Sequence, residues 1–216
     1  MEEGISNSVV TVSAMKNVMW KGELEGKVKL DTIVPRKGLY GIGPLAFLKG
    51  EILVNDGLTY VSKVVSPNEM KVDVLPEAQA PFFVYGHVTS WREQKLPKSV
   101  IDMLSLEKAL NDLFKDINEP LIFKLKGRVK SAEIHIQNLP DNTKVSSPKE
   151  AHQGQVNYSL EDEIVEMIGF YSRAHHGVFT HHDSNMHIHL MTQDKQKMGH
   201  LDGLEIGKMK LYLPKK

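Results

Sequence analysis

The chain has 216 residues, 41% hydrophobic and 25% charged, the balance of a globular protein long enough to bury a substantial core. Lys+Arg and Asp+Glu each total 27, so the net charge is zero and gives no electrostatic case for nucleic acid or an anionic membrane surface. There is no cysteine, which excludes disulfides and thiolate metal sites, and no apolar run approaches the roughly 18 residues a membrane helix needs.

The start, MEEGISNSVV, is acidic and lacks the basic and apolar regions of a signal peptide, so the expected location is cytoplasmic. VVTVSAM reads as a strand. LYGIGPLAFLKGE is punctuated by glycine, which suggests close backbone approach. EILV and LTYV flank Asn55-Asp56-Gly57, a hairpin signal. APFFVYGHVTSW is a further strand. The period then changes. Ile101, Leu104, Leu106, Leu110, Leu113, Phe114 and Ile117 predict one apolar face of a helix over about 99–118, starting near Pro97-Lys98-Ser99. After Asn118-Glu119-Pro120, LIFKLKGRV and SAEIHIQNL predict two strands joined by a turn at Lys126-Gly127. PDNTKVSSPKEAHQGQ is a polar connector and the candidate internal boundary, giving a β-rich region over 1–140 and a C-terminal β region over 141–216 packed closely on it. SLEDEIVEMIGFYS is ambiguous: Ser159 and Asp162 mimic a capping box, but Gly169 and the short apolar run favour a strand. MHIHLMTQD and KMKLYLP complete the β pattern. The expected class is α+β, predominantly β, with two packed sheet-based layers and one main amphipathic helix.

Ten histidines in a cysteine-free chain are the unusual feature. Residues two apart on a strand share a face, so His187 and His189 point the same way. The polar TQDKQKMG can turn the chain back and bring His200 alongside. Three neutral imidazoles with an open fourth position are the donor set of a catalytic zinc site. An H-x-H pair is also common among surface or hydrogen-bonded core histidines. His175, His176, His181 and His182 lie in RAHHGVFTHHDSN and read as solvated loop residues, or as a lid that adds a ligand.

The order of these motifs resembles the α-acetolactate decarboxylase family. GVFTHHDSNMHIHLMTQDKQKMGHLDGLEI resembles its glycine-led loop, H-x-H strand, turn and Gly-His. GLYGIGPLAFLKGEILVNDGLTYV, APFFVYGHV and LEKALNDLFKDINEPLIFKLKGRVKSAEIHIQNLP resemble its upstream segments, so the likeness runs from about Val9 to Leu211. It implies that fold, a zinc ion held by His187, His189 and His200, Glu51 of LKGEI as the active-site glutamate, and a homodimer. It also implies a small-molecule 2-hydroxy-3-oxo acid as substrate, with acetolactate giving acetoin and CO2. There are three departures. Pro44 stands where the family has threonine, Gln137 stands where it has arginine, and the family pattern continues to a second glutamate whereas this sequence ends at Lys216. Gln137 and Arg173 are therefore the candidates for holding substrate, with Lys130 as another source of positive charge and Asp183 or Glu205 as the replacement acid. The same departures favour an alternative: a small-molecule or metal-binding protein without decarboxylase activity.

Overall fold

The computed structural model describes residues 8–215. Strand accounts for 48% of the chain and helix for 13%, arranged around two main sheets. β1 (Val9–Val12) leads into a short helix, α1 (Met15–Lys21), which the sequence reading missed within VVTVSAM. Next come β2 (Val28–Lys29), β3 (Leu39–Pro44), β4 (Glu51–Asn55), β5 (Leu58–Ser66), β6 (Glu69–Val74), β7 (Gln79–Ala80) and β8 (Phe83–His87). The hairpin expected between β4 and β5 is present, with Asp56 (φ 47°) and Gly57 (φ 84°) both left-handed as a tight two-residue turn demands. The first sheet has the order β1-β8-β3-β4-β5-β6.

β9 (Trp91–Gln94) precedes α2 (Met103–Leu113), which is shorter than the expected 99–118. The Asp102 side chain accepts from Ser105 N at 2.8 Å and Ser105 Oγ accepts from Asp102 N at 3.0 Å, a capping box that starts the helix there. Leu106 and Leu110 are buried, whereas Ile101, Leu104 and Leu113 are exposed, so the buried stripe is narrower than the periodicity predicts. β10 (Leu121–Ile136) runs unbroken through the turn expected at Lys126-Gly127. Gly127 (φ 153°) lets the strand pass close to β14: a Cβ there would meet Lys208 O at 2.0 Å. The remaining elements are α3 (Pro148–Ala151), β11 (Val156–Glu161), β12 (Ile164–Tyr171), β13 (Met186–Thr192) and β14 (Met198–Pro214). Ser159 and Asp162 do not cap a helix; Ser159 lies within β11 and Asp162 (φ 54°) turns the chain into β12.

The second sheet has the order β11-β10-β12-β13-β14-β9, and an added β10–β14 pairing closes β10, β12, β13 and β14 into a ring. The 140–155 connector joins β10 to β11, neighbours in this sheet, and β9 and β10 from before it are built in as well. The two sheets meet through Ile42, Leu53 and Val84 of the first and Ile168, Phe170, Met191 and Met198 of the second. Inside the ring, Phe123, Leu125, Ile188 and Leu190 pack with Leu106 and Leu110 of α2. Each fully buried residue of this kind contributes roughly 1.5–3 kcal/mol.

Candidate metal centre

Strand alternation decides which side chains reach the space between the sheets. On β4, Ile52 and Val54 pack on the outer side of the first sheet and Leu53 faces the second. Glu51 shares the parity of Leu53 and so points towards the second sheet. On β13, Met186, Ile188 and Leu190 fill the ring, and Met191 faces the first sheet. His187 and His189 share the parity of Met191. On β14, His200 shares that of Met198. The register puts His200 opposite His189 on one side and opposite His135 of β10 on the other. Gly199 makes this possible, because a Cβ there would lie 2.6 Å from His135 O.

The three expected imidazoles converge, with one ring nitrogen from each of His187, His189 and His200 within 4.8 Å of the others. His187 Nε2 and His189 Nε2 are 3.2 Å apart. Bonds of 2.0–2.1 Å in a tetrahedral zinc site separate neighbouring nitrogens by about 3.3–3.4 Å, so this spacing fits a shared ion. Neither Nδ1 has a partner in hydrogen-bonding geometry. Burial drives all three pKa values down, and the neighbouring histidines add to it; His189 falls to about 3. The backbone at Phe179 and at Ile52 opposes this weakly for His187 and His189. The imidazoles are therefore neutral at pH 7, the form that ligates metal.

Glu51 is 3% exposed, and its Oε2 lies 3.6 Å from His189 Nε2. Its Oε1 accepts from the Gln137 backbone N at 3.2 Å. Burial pushes the Glu51 carboxyl well above its ordinary range; the Gln137 hydrogen bond opposes this, and the negative Asp202 adds to it. A small cavity of about 30 Å³ is lined by Glu51, Gln137, His135, His152, His187 and His200, with His181, Pro44 and apolar groups of α1 completing it. The Gln137 amide donates through Nε2 to Gln155 Oε1 at 3.2 Å, and its Oε1 is buried without a partner.

Other expected residues lie elsewhere. Arg173 is exposed and does not hold substrate in this cavity; its guanidinium donates to the carbonyls of Phe114, Lys115 and Ile117, completing the end of α2. Lys130 and Glu205 pair with each other at 2.7 Å on the surface. Asp183 is exposed and absent from the cavity lining. Among the described residues, no lysine or arginine lines the cavity. Of the loop histidines, His181 reaches the site, its ring 5.5 Å from that of His200. His175 instead stacks on Phe179, and His176 bonds Asn185 Oδ1.

Sequence reasoning missed His135 and His152. His135 had a signal, since it sits two residues before Gln137 on the same strand face. His152 follows a one-turn helix in the polar connector, where no periodicity marks it. Glu107 of α2 was missed too; its carboxylate accepts from Asn185 N at 2.7 Å and holds the chain where it enters β13.

The family model described as alpha-acetolactate decarboxylase matches residues 9–215. An alpha-acetolactate decarboxylase of Brevibacillus brevis is 26% identical over 199 residues, covering 91% of this chain and 66% of that protein. One from Streptococcus thermophilus is 23% identical over 167 residues, covering 76% and 66%. The chain thus spans just under two thirds of these curated relatives. Among solved structures, alpha-acetolactate decarboxylase from Bacillus subtilis strain 168 superposes with a TM-score of 0.77 at 21% identity, covering 97% of this chain and 86% of that one. A Staphylococcus aureus protein of unknown function, similar to alpha-acetolactate decarboxylase, reaches 0.79 at 16% identity, covering 95% and 84%.

Proposed function

Because the chain belongs to the alpha-acetolactate decarboxylase family, we propose that it is a zinc-dependent decarboxylase of a 2-hydroxy-3-oxo acid, with acetolactate as substrate and acetoin and CO2 as products. The observation that carries this reading is the convergence of three neutral imidazoles beside one buried carboxyl.

Zinc, when bound by His187, His189 and His200, supplies a Lewis acid for the negative charge that develops on substrate oxygen as CO2 leaves. The remaining steps belong to the chain. Loss of CO2 breaks the bond between the carboxylate and the carbinol carbon, and the electron pair spreads onto the substrate's own ketone. Burial raises the Glu51 pKa well above its ordinary range and so favours the protonated carboxyl. Its Oε2, on the histidine side of the carboxyl, gives that proton to the carbon that lost CO2. The Gln137 N–H fixes the other oxygen and so orients the donor. Gln137 stands where the family pattern has a cation, and its amide lines the cavity. Membership is also our ground for proposing a cytoplasmic homodimer; light scattering that returned the mass of one chain would remove the dimer. Among the described residues, no helix is long and apolar enough to cross a membrane.

Zinc-loaded wild type should release CO2 from racemic acetolactate well above the rates of His189→Ala and Glu51→Gln. Equal rates in all three would end the proposal. A second reading, binding without turnover, is favoured by the absence of lysine and arginine from the cavity lining. Calorimetric binding of acetolactate to a protein that releases no CO2 would establish it.

A further inference from the structure

A second cluster of metal donors lies beside the first. Along β10 and β14 the register steps from Ile134↔Leu201 to Glu133↔Gly203, so Asp202 is the extra residue of a β-bulge. A bulge re-aims a side chain, and here it turns the Asp202 carboxylate onto the face of His135 and His200. Asp202 Oδ2 lies 2.7 Å from His135 Nδ1 and Oδ1 lies 3.8 Å from His200 Nε2. Ligand atoms of these three residues fall within 4.8 Å of one another. They open onto a cleft of about 480 Å³ lined by His135, His152, Gln155, Asn157, His181 and Asp202. All six are polar and four are metal donors. Burial lowers the pKa of both His152 and His181, so both offer neutral nitrogens.

We propose that this cleft holds a second divalent transition-metal ion, bound by His135 and Asp202 with His152 and His181 completing the coordination. A neutral imidazole bonds one ion through one nitrogen, so His200 stays with His187 and His189, and the outer ion takes the cleft residues. Imidazole and carboxylate donors without thiolate select zinc, nickel, cobalt or copper over calcium or magnesium. Asp202 is 40% exposed at its side chain, which gives an ion a path from solvent, whereas His135 is 8% exposed and held in place. The proposal rests on the inner ion of the proposed function for its count of two, but requires no turnover, so loss of decarboxylation alone leaves it standing.

Equilibrium dialysis of tag-free, chelator-stripped protein against buffered Zn²⁺ tests it. Wild type should bind two ions per chain. His135→Gln/Asp202→Asn should bind one, and His187→Ala/His189→Ala should also bind one, by loss of the other ion. His152→Gln/His181→Gln leaves the His135–Asp202 pair in place and guards against misfolding in the first variant. It should weaken the outer ion at least tenfold with an unchanged urea midpoint. One ion or none in wild type overturns the proposal, as does two ions in His135→Gln/Asp202→Asn or an unchanged affinity in His152→Gln/His181→Gln.

Discussion

Replacing Glu51 by glutamine tests whether that carboxyl holds its proton inside the fold. In the unfolded chain its pKa returns to the ordinary 4.5, whereas burial raises it well above that in the native state. Above pH 4.5 the native state therefore carries the extra proton. Its contribution to stability is complete below that pH and is lost as pH rises towards the native pKa. Each pH unit within that window costs about 1.4 kcal/mol. Wild type therefore loses up to about 1.4 kcal/mol per pH unit from this group for as long as the native state holds the proton that the unfolded chain has released. Glutamine has nearly the same shape and does not ionise, so the variant escapes the loss. The three histidines titrate in both proteins and cancel in the difference. Urea denaturation of chelator-stripped wild type and Glu51→Gln at half-unit steps should show the variant gaining on wild type as pH rises above 5, by up to about 1.4 kcal/mol per unit. In a chain of this length each 1 kcal/mol is about 2–4 °C in Tm. Parallel stability curves would show that Glu51 is ionised in the fold, and would remove it as the proton donor.

Other outcomes follow from single contacts. Stripping metal from His187, His189 and His200 should lower Tm, and adding zinc at a hundredfold excess over Kd should restore about 2.7 kcal/mol, read by calorimetry. Gly199→Ala puts a Cβ 2.6 Å from His135 O, backbone that yields only by separating β10 from β14. It should cost about 1–3 kcal/mol and reduce zinc content, because His200 moves with the strand. Arg173→Ala should lower the urea midpoint by freeing three carbonyls at the end of α2, at about 1–3 kcal/mol, while leaving turnover per folded molecule unchanged. A fall in turnover would return Arg173 to the site.

The convergence of His187, His189 and His200 was legible in the sequence because strand geometry is local: H-x-H fixes a shared face, and TQDKQKMG is long enough to bring His200 back. The hairpin at Asp56-Gly57 was legible for the same reason. What failed depended on distant neighbours. Leu104 and Leu113 fit a helical face, but the ring takes in Leu106, Leu110 and Phe114 and leaves these two exposed. Gly127 reads as a turn and is instead a close approach to β14, which no residue near it announces. Arg173 is the nearest arginine in sequence to the histidine loop, yet three carbonyls at the end of α2 claim it. His135 entered the site through register: it is opposite His200 because β14 returns beside β10, a pairing between residues 65 positions apart.

The charge states of the site follow from one cause. Burial between two sheets removes water from Glu51, His187, His189 and His200 together, so the carboxyl gains a proton and the imidazoles shed theirs. The inner site is thus assembled neutral although its residue types are ionisable. A cation placed among neutral nitrogens at low dielectric exerts a stronger field on a bound ketone than it would in water. The same cation would also draw the proton from a nearby Glu51. The Gln137 N–H favours the ionised carboxylate and Asp202 favours the protonated form, so these two groups set how firmly Glu51 keeps its proton. Asp202 meets the solvent at the mouth of the cleft and reaches the inner site through its own pairing with His135. With the outer cleft free of metal, neutralising it by Asp202→Asn should therefore lower the pH above which turnover falls, because Glu51 then ionises more readily. A pH–rate profile with the same alkaline limb in wild type and Asp202→Asn would disconnect the cleft from the proton donor.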